Sequence, residues 1–321
     1  MQAYDLYLLG RQKWATRQLP LLREALQHFE QAIARDSSFA LAWSGVADAI
    51  AALAWRAPGE LPRLRTAKHA AQRALLLDVG LAEGWASLGV LATYFDRDFP
   101  IAELALRRAL ALRPSYAPAY HWLADVMEYS GRRAEAVGLS TRAIELDPRN
   151  GFYYNSRVEQ LESLGRFTEA RQDADRVLAM GYHERDVFLT VLSGARHLGY
   201  GAEEAAEFRR AWAAAAGFSR PDQAALIGRA FIEPALRPRA LELLNSMAGE
   251  PVRRCDLARI ALGVEDYEGA IRYLEQALAD GEPTLVAIGA ERAYDPLRKD
   301  QRFARITEQL GVPNGRLDID D

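Results

Sequence analysis

His121 and Asp125 stand four residues apart in the stretch APAYHWLADVMEY (117–129), whose apolar positions follow a helical period. The imidazole and the carboxyl therefore share one helix face, with Glu128 one turn further on. A histidine oriented by a carboxylate can serve as a general base, and a histidine with two carboxylates can hold a metal ion. This is as near as the sequence comes to catalytic chemistry, and the other parts are missing. There is no G-x-x-x-x-G-K-[ST], no G-x-G-x-x-G after a strand, no H-E-x-x-H and no G-x-S-x-G. None of the five histidines pairs with another at a metal-binding spacing. The single Cys255 excludes an internal disulfide and any multi-cysteine metal site, and no histidine neighbours it in sequence to activate it. The expectation is a chain without catalytic residues, metal or cofactor. An enzyme with a groove site around His121 and Asp125 is the alternative.

Composition excludes further classes. Of 321 residues, 40 are basic and 44 acidic, a formal charge of −4 that gives no broad electrostatic footing for nucleic acid. Half of the residues are hydrophobic, yet no apolar run approaches the roughly 20 residues of a membrane helix, so no membrane insertion is expected. The opening Met1-Gln2-Ala3-Tyr4-Asp5 lacks the basic and then apolar pattern of a secretory signal. A cytoplasmic location is expected, with the periplasm as the alternative if a membrane anchor lies upstream.

The elements that position His121 and Asp125 recur. Pro114 to Pro148 is 34 residues, as are Ala109 to Ala143, Ala102 to Ala136, Ala136 to Ala170, Gly131 to Gly165 and Tyr120 to Tyr154; Phe188 and Gly199 continue the aromatic and glycine rows. Each period holds two helical stretches of about fourteen residues around a short polar turn, which makes it a helical hairpin. The best-formed one predicts a first helix over 117–130, a turn at Gly131-Arg132 and a second helix over 133–146. Gly131 suits the left-handed end of the first helix, and Pro148 stops the second at Asp147. Small residues such as Ala124, Ala136 and Ala143 let the paired helices approach, while Tyr120, Leu123 and Met127 fill the space between them. The tryptophans at positions 14, 43, 55, 85, 122 and 212 are read as core packing at repeat positions.

On these residues the chain resembles the tetratricopeptide repeat (TPR) family. The aromatic, Leu-Gly, Ala, Ala and Pro pattern of that family is met by Trp85, Leu88, Gly89, Ala92, Ala102, Leu106, Ala109 and Pro114, and again by Tyr120, Leu123, Ala124, Met127, Ala136, Ala143 and Pro148. Trp43, Val46, Ala47, Ile50, Ala67 and Ala74 repeat it with an eight-residue excess around Ala57-Pro58-Gly59, read as an extended turn. The first unit carries an insertion near Thr16 to Pro20. Past Met180 the pattern weakens, and Arg157 already stands where the family usually has leucine. A cleaner unit returns with Leu257, Ala258, Ala261, Tyr267, Ala270, Leu274 and Ala277.

The resemblance implies an all-α fold: a right-handed α-α superhelical solenoid of about eight TPR-like helical hairpins with a C-terminal capping helix. The solenoid is expected over residues 1–283, regular at 40–182, degenerate at 183–250 and cleaner at 251–283. Residues 284–321 form the cap and an acidic tail, Asp318 to Asp321, with Phe303, Ile306 and Leu310 as the apolar face of the last helix.

What the resemblance implies for function is a non-catalytic protein-protein interaction scaffold that binds a peptide or partner protein along its concave groove. The inward positions are Asp48 in the second unit, Ala86, Val90 and Tyr94 in the third, His121, Asp125 and Glu128 in the fourth, Asn155, Glu159 and Glu162 in the fifth, and Leu189, Ser193, Arg196 and His197 in the sixth. Asp125 to Glu159 and Glu128 to Glu162 are each 34 residues, so the carboxylates recur on adjacent rungs and make the middle of the groove acidic. Relatives that grip an acidic peptide tail use Lys and Asn at such positions, and of the residues here only Asn155 fits. The expected partner is a protein or peptide of basic or mixed charge, with self-association through an end face as a further option. The phrases AYDLYLLGRQKW and DPLRKDQRFARITEQLG also resemble the C-terminal TPR region of bacterial signalling proteins whose upstream winged-helix, adenylate-cyclase or kinase domain supplies the output.

Overall fold

A computed structural model describes residues 2–181, 190–191, 193–215, 221–247 and 252–314. The expectations for Phe188, Leu189 and the acidic tail 318–321 lie outside these residues. All regular structure among the described residues is helical, arranged as TPR-like hairpins followed by a C-terminal helix. Two compact units are present, Met1–Val126 and Met127–Asp321.

The first unit contains α1 (Ala3–Ala15), α2 (Leu19–Arg35), α3 (Ala40–Arg56), α4 (Leu64–Leu77), α5 (Ala82–Leu91), α6 (Phe99–Leu112) and most of α7 (Ala117–Tyr129). Its second helices all end the same way. Asp36, Asp78 and Arg113 leave the helix in an extended conformation, with φ of −146°, −147° and −142°, and each N–H still donates to the alanine carbonyl four residues back, Ala32, Ala74 and Ala109. Only the third break is followed by proline. At the other two an aspartate does the equivalent work: the Asp36 carboxylate accepts from the Ser38 N–H at 2.9 Å, and that of Asp78 from the Gly80 N–H at 2.8 Å. The turn expected near Ala57-Pro58-Gly59 is a 3-10 helix, Pro58–Arg63. The insertion expected near Thr16 to Pro20 is shared between a three-residue connection, 16–18, with Arg17 at φ +57°, and the start of α2. The extra residues lengthen α2 to 17 residues, and Pro20 sits in its first turn, where a missing N–H leaves no helical bond unmade.

In four hairpins an aromatic near the start of the leading helix fastens the preceding connection. The Trp43 indole N–H donates to Ser37 O at 2.9 Å and that of Trp85 to Val79 O at 2.8 Å, while the Tyr120 hydroxyl donates to Pro114 O at 3.2 Å. In the second unit Tyr154 repeats the bond to Pro148 O at 3.4 Å. An aromatic body covers apolar surface while its polar tip satisfies a loop carbonyl.

The second unit continues with α8 (Arg133–Leu146), α9 (Gly151–Ser163), α10 (Phe167–Ala179), α11 (Ala202–Ala215), α12 (Pro221–Ile232), α13 (Arg237–Met247), α14 (Arg254–Gly263), α15 (Tyr267–Ala279) and α16 (Gln301–Leu310). The turn before α8 is as the sequence predicts: Gly131 has φ +84°, its N–H donates to Glu128 O, and the Arg132 N–H reaches Met127 O at 2.7 Å. Gly165 repeats it with φ +72°. Between α15 and α16 the chain makes two 3-10 turns, Pro283–Ala287 and Arg292–Leu297, whose Leu285, Val286, Tyr294 and Leu297 are buried with Phe303, Ile306 and Leu310 of α16. Glu282 caps α14, its carboxylate accepting from the Arg254 and Cys255 N–H groups at 2.6 and 3.0 Å. Cys255 is buried and free, and burial raises its thiol well above the usual value, which fits an inert packed side chain.

Close helix approach is local and steric. A Cβ added at Gly89 of α5 would lie 2.5 Å from Leu106 of α6, a fully buried side chain, whereas one at Gly138 of α8 would meet nothing within 4 Å. Gly89→Ala is expected to destabilise the first unit by about 1–3 kcal/mol. Gly138→Ala is expected to be stabilising by about 0.5–1 kcal/mol through helix propensity alone. Thermal and urea melts of the two variants, followed by circular dichroism, check the opposite signs.

Candidate functional site

In the first unit the leading helix of each hairpin contributes to a common polar face. A first chain of bonds crosses three helices: Arg11 of α1 pairs with Asp48 of α3 at 3.0 Å, and Ser87 of α5 donates to the other Asp48 oxygen at 2.6 Å. The guanidinium groups of Arg11 and Arg17 both stand over the Trp14 ring, 4.3 and 3.4 Å from its centroid. Further along, Trp55 of α3 meets Tyr94 edge to face with ring centroids 5.0 Å apart, and the Tyr94 hydroxyl donates to Asp125 of α7. Tyr94 reaches that far because α5 ends in a π turn, Ala92–Asp96, which is followed by Arg97 in the left-handed region at φ +56°.

This geometry answers the catalytic reading of His121 and Asp125. Nε2 of His121 stands 3.9 Å from Asp125 Oδ2, beyond hydrogen-bond reach. Burial, with Arg17 adding to it, pushes the His121 pKa down to about 3, and burial lifts that of Asp125 to about 7 against the Tyr94 bond. A base this weak beside a carboxyl this reluctant to ionise does not make a base and its orienter.

In the second unit the expected groove residues are engaged from within. Glu128 is 2% exposed. Asn155 bonds Thr190 at 3.4 Å, and the Thr190 hydroxyl donates to Glu159 at 2.6 Å. Arg259 of α14 reaches Glu159 at 3.6 Å and donates to Glu291, at the head of the second 3-10 turn, at 2.7 Å. Arg133 of α8 is buried and donates to Ala290 O at 3.5 Å. Glu162 packs so tightly against the Gly194 backbone that a Cβ there would run into its carboxyl. Burial, then Glu159 and more weakly Glu291, raise the Glu162 pKa to about 8, opposed by Arg259 and Arg292. The carboxyl groups read from the sequence as acidic rungs are not fully charged near neutrality: burial lifts Asp125 to about 7 and Glu162 to about 8, and Glu159 faces an arginine.

Arg196 donates to Phe231 O at 2.7 and 3.2 Å and approaches Glu265 at 3.6 Å, while His197 stacks on Phe167 at 5.4 Å. Both line an open cavity of about 310 Å³ with Arg259, Arg292, Phe231 and Glu265. Ser193 and Asp295 complete its polar wall. Arg259, Glu291 and Arg292 were beyond sequence reasoning, because α14 and the 3-10 turns belong to no 34-residue rung of α9 and their approach is made by the chain's path. Arg157 carried a usable signal: an arginine in a leucine position needs a partner, and Asp173 of α10 supplies one through two bonds of 2.7 and 2.8 Å. No cluster of His, Cys, Asp and Glu suited to a metal ion occurs among the described residues, nor does any helix among them long and apolar enough to cross a membrane.

No protein-family model matches the chain, and no curated protein matches it. Solved structures do. A thermophilic TPR protein of Thermus thermophilus, TTC0263, is 19% identical at a TM-score of 0.48, over 61% of this chain and 97% of that one. PilF of Pseudomonas aeruginosa is 18% identical at 0.45, over 67% and 88%. YrrB, described as a TPR protein with an unusual peptide-binding site, is 20% identical at 0.34, over 50% and 77%.

The burial of Glu162 predicts a pH dependence. Its folded pKa is raised from 4.5 to about 8, so its stabilising protonated state is complete at and below the unfolded value and is lost as pH climbs through the window between the two. Within it each pH unit costs up to about 1.4 kcal/mol. Glu162→Gln, neutral throughout, is expected to melt close to the wild type at pH 5 and several degrees above it at pH 8.5. Melting curves at the two pH values check this, and an equal offset at both would contradict it.

Proposed function

We propose that this chain is a non-catalytic protein-interaction scaffold whose leading-helix faces receive a peptide segment of mixed charge. The cavity of the second unit carries the reading. Within about 310 Å³ it sets Arg196, Arg259 and Arg292 beside Glu265 and Asp295, with Phe231, Leu262 and Tyr267 as apolar walls. Such a surface offers partners to side chains of both signs and to an apolar residue between them, while Arg196 and Arg259 are already positioned by internal bonds. Groups tied into structural pairs do not shuttle protons, so the same bonds argue against turnover. The resemblance of the two terminal phrases to bacterial signalling proteins supports the further reading that the scaffold is the sensory or docking part of a regulator.

Fluorescence anisotropy with three sets of labelled twelve-residue peptides tests the proposal: Lys/Arg-rich, Asp/Glu-rich, and mixed with one aromatic residue. The mixed set is expected to bind most tightly. Arg196→Glu, which reverses a charge that is half exposed, should weaken it about ten-fold, on the scale of 1–2 kcal/mol, with the helical circular dichroism spectrum retained at the temperature of the assay. Equal affinity for the three sets, or no loss on charge reversal, would sink the reading.

A further inference from the structure

The cavity of the second unit holds its charged groups in two different ways. Its carboxylates are answered from behind the wall: Arg237, which is not part of the lining, donates to Glu265, and Arg298 holds Asp295 at 2.8 Å. Arg196 is held by a neutral group instead. Its Nε and Nη2 donate to the Phe231 carbonyl oxygen at the end of α12, at 3.2 and 2.7 Å, while the carboxylate paired with it, Glu265, stays 3.6 Å away. A carbonyl fixes a guanidinium in place without cancelling its charge. Two hydroxyls line the same cavity. Ser193 Oγ is buried and meets no hydrogen-bond partner among the described residues, and Tyr267, 43% exposed, brings a phenol from the start of α15. A buried hydroxyl without a partner is costly, and an acceptor that enters beside it relieves the cost. Phe231, Leu262 and Pro296 supply apolar wall, and about 310 Å³ lies at the small end of ligand cavities, room for one side chain or a small acid.

We propose that this cavity is a binding site for a carboxylate on an apolar body: Arg196 and the hydroxyls of Ser193 and Tyr267 receive the carboxylate, and Phe231, Leu262 and Pro296 receive the body. The site rests on the scaffold reading only for one of two sources of that chemistry, an acidic side chain beside an apolar one in a bound peptide; a free aryl acid is the other. A cation gains little here, because Glu265 and Asp295 already hold arginines. A dianion such as phosphate is opposed by the same two carboxylates, which stay on the wall. Glu265 also limits the affinity of a monoanion, since it stands 3.6 Å from Arg196 and competes for it. One guanidinium that is half exposed gives a small acid a dissociation constant on the order of 1 mM.

The test uses the full chain and fluorine NMR of the ligand. 3-(4-Fluorophenyl)propionate is titrated beside its neutral amide, and a blocked Phe-Glu-Phe peptide with fluorinated rings beside its glutamine analogue. The carboxylates are expected to bind at least about ten-fold more tightly than their neutral counterparts. A peptide that binds more tightly than the free acid identifies a bound segment as the source, and one that binds equally or more weakly identifies the free acid. Arg196→Gln should weaken the carboxylates about five-fold or more, and Ser193→Ala about two-fold. Glu265→Gln, which takes the competing charge from the wall, should tighten them about two-fold. A gain in affinity cannot come from damage to the fold, so this variant keeps the test decisive even where Arg196→Gln lowers the melting temperature. No binding of either carboxylate up to about 20 mM, equal binding of the neutral analogues, affinity unmoved by Arg196→Gln, or affinity lowered by Glu265→Gln overturns the site. Binding of the free acid without binding of the mixed twelve-residue peptides would remove the scaffold reading and keep the site, and the reverse would remove the site alone.

Discussion

Phe29 of α2 is fully buried between two glycines. A Cβ on Gly10 of α1 would lie 2.5 Å from its ring, and one on Gly45 of α3 would lie 2.6 Å away. One aromatic side chain thus sets the distance both within its own hairpin and to the next, and it can do so only because neither neighbour has a side chain at the point of contact. Leu106 against Gly89 repeats the arrangement with an aliphatic side chain. Around these contacts the second helices present alanines of zero exposure, Ala67, Ala74, Ala102, Ala109, Ala136, Ala143 and Ala170. A hairpin packed this way buries one face against itself and the other against its neighbour, so each depends on the next for its stability. The last hairpin has no following copy. The 3-10 turns and α16 cover it instead, with an apolar face built for that purpose.

Close packing brings polar side chains into places where water cannot reach them, and the structure meets that cost in three ways. Arginines neutralise Asp48, Asp173 and Asp256. Backbone N–H groups at the start of α14 satisfy Glu282. Glu162 and Asp125 move toward the neutral form under burial. The first two solutions lock a carboxylate into the fold and remove it from further chemistry. The third leaves a group whose charge state depends on what approaches it, since an entering cation favours ionisation and an apolar neighbour favours the proton.

The hairpins were legible in the sequence because their determinants are local. Gly131 at φ +84° and the break at Asp147 before Pro148 are properties of three or four adjacent residues, and the helix boundaries around them fall within one residue of expectation. The breaks after α2 and α4 were less visible, since Asp36-Ser37 and Asp78-Val79 reproduce with a side-chain bond what Pro114 and Pro148 impose with a ring. Left-handed turns at Arg17, Arg97 and Glu265 were not visible at all, because a non-glycine residue there is tolerated only when surrounding contacts outweigh a strain of about 1 kcal/mol. The charge of the candidate groove was misjudged for another reason. The 34-residue step relates Glu159 and Glu162 to Asp125 and Glu128 by period alone, whereas the ionisation of Glu162 also depends on Arg259, Glu291 and Arg292, more than 90 residues away in sequence, and no local pattern reports that approach.

Fold and recognition are separable in this chain because they use different positions of the same hairpin. The residues that hold helices together are small or aromatic and recur every period: alanine rows, the tight glycines, and the aromatics whose polar tips reach back to Ser37, Val79, Pro114 and Pro148. The residues that face along the leading helices do not recur. Asp48, Val90 and Asp125 stand five residues after Trp43, Trp85 and Tyr120, on one row, and the two aspartates are answered differently, Asp48 by Arg11 and Ser87 and Asp125 by Tyr94. A substitution in the first class alters the spacing on which every adjoining hairpin relies, whereas one in the second changes only a local set of charges and hydrogen bonds. An array of this kind can therefore change what it recognises one rung at a time without disturbing the contacts that hold its hairpins together.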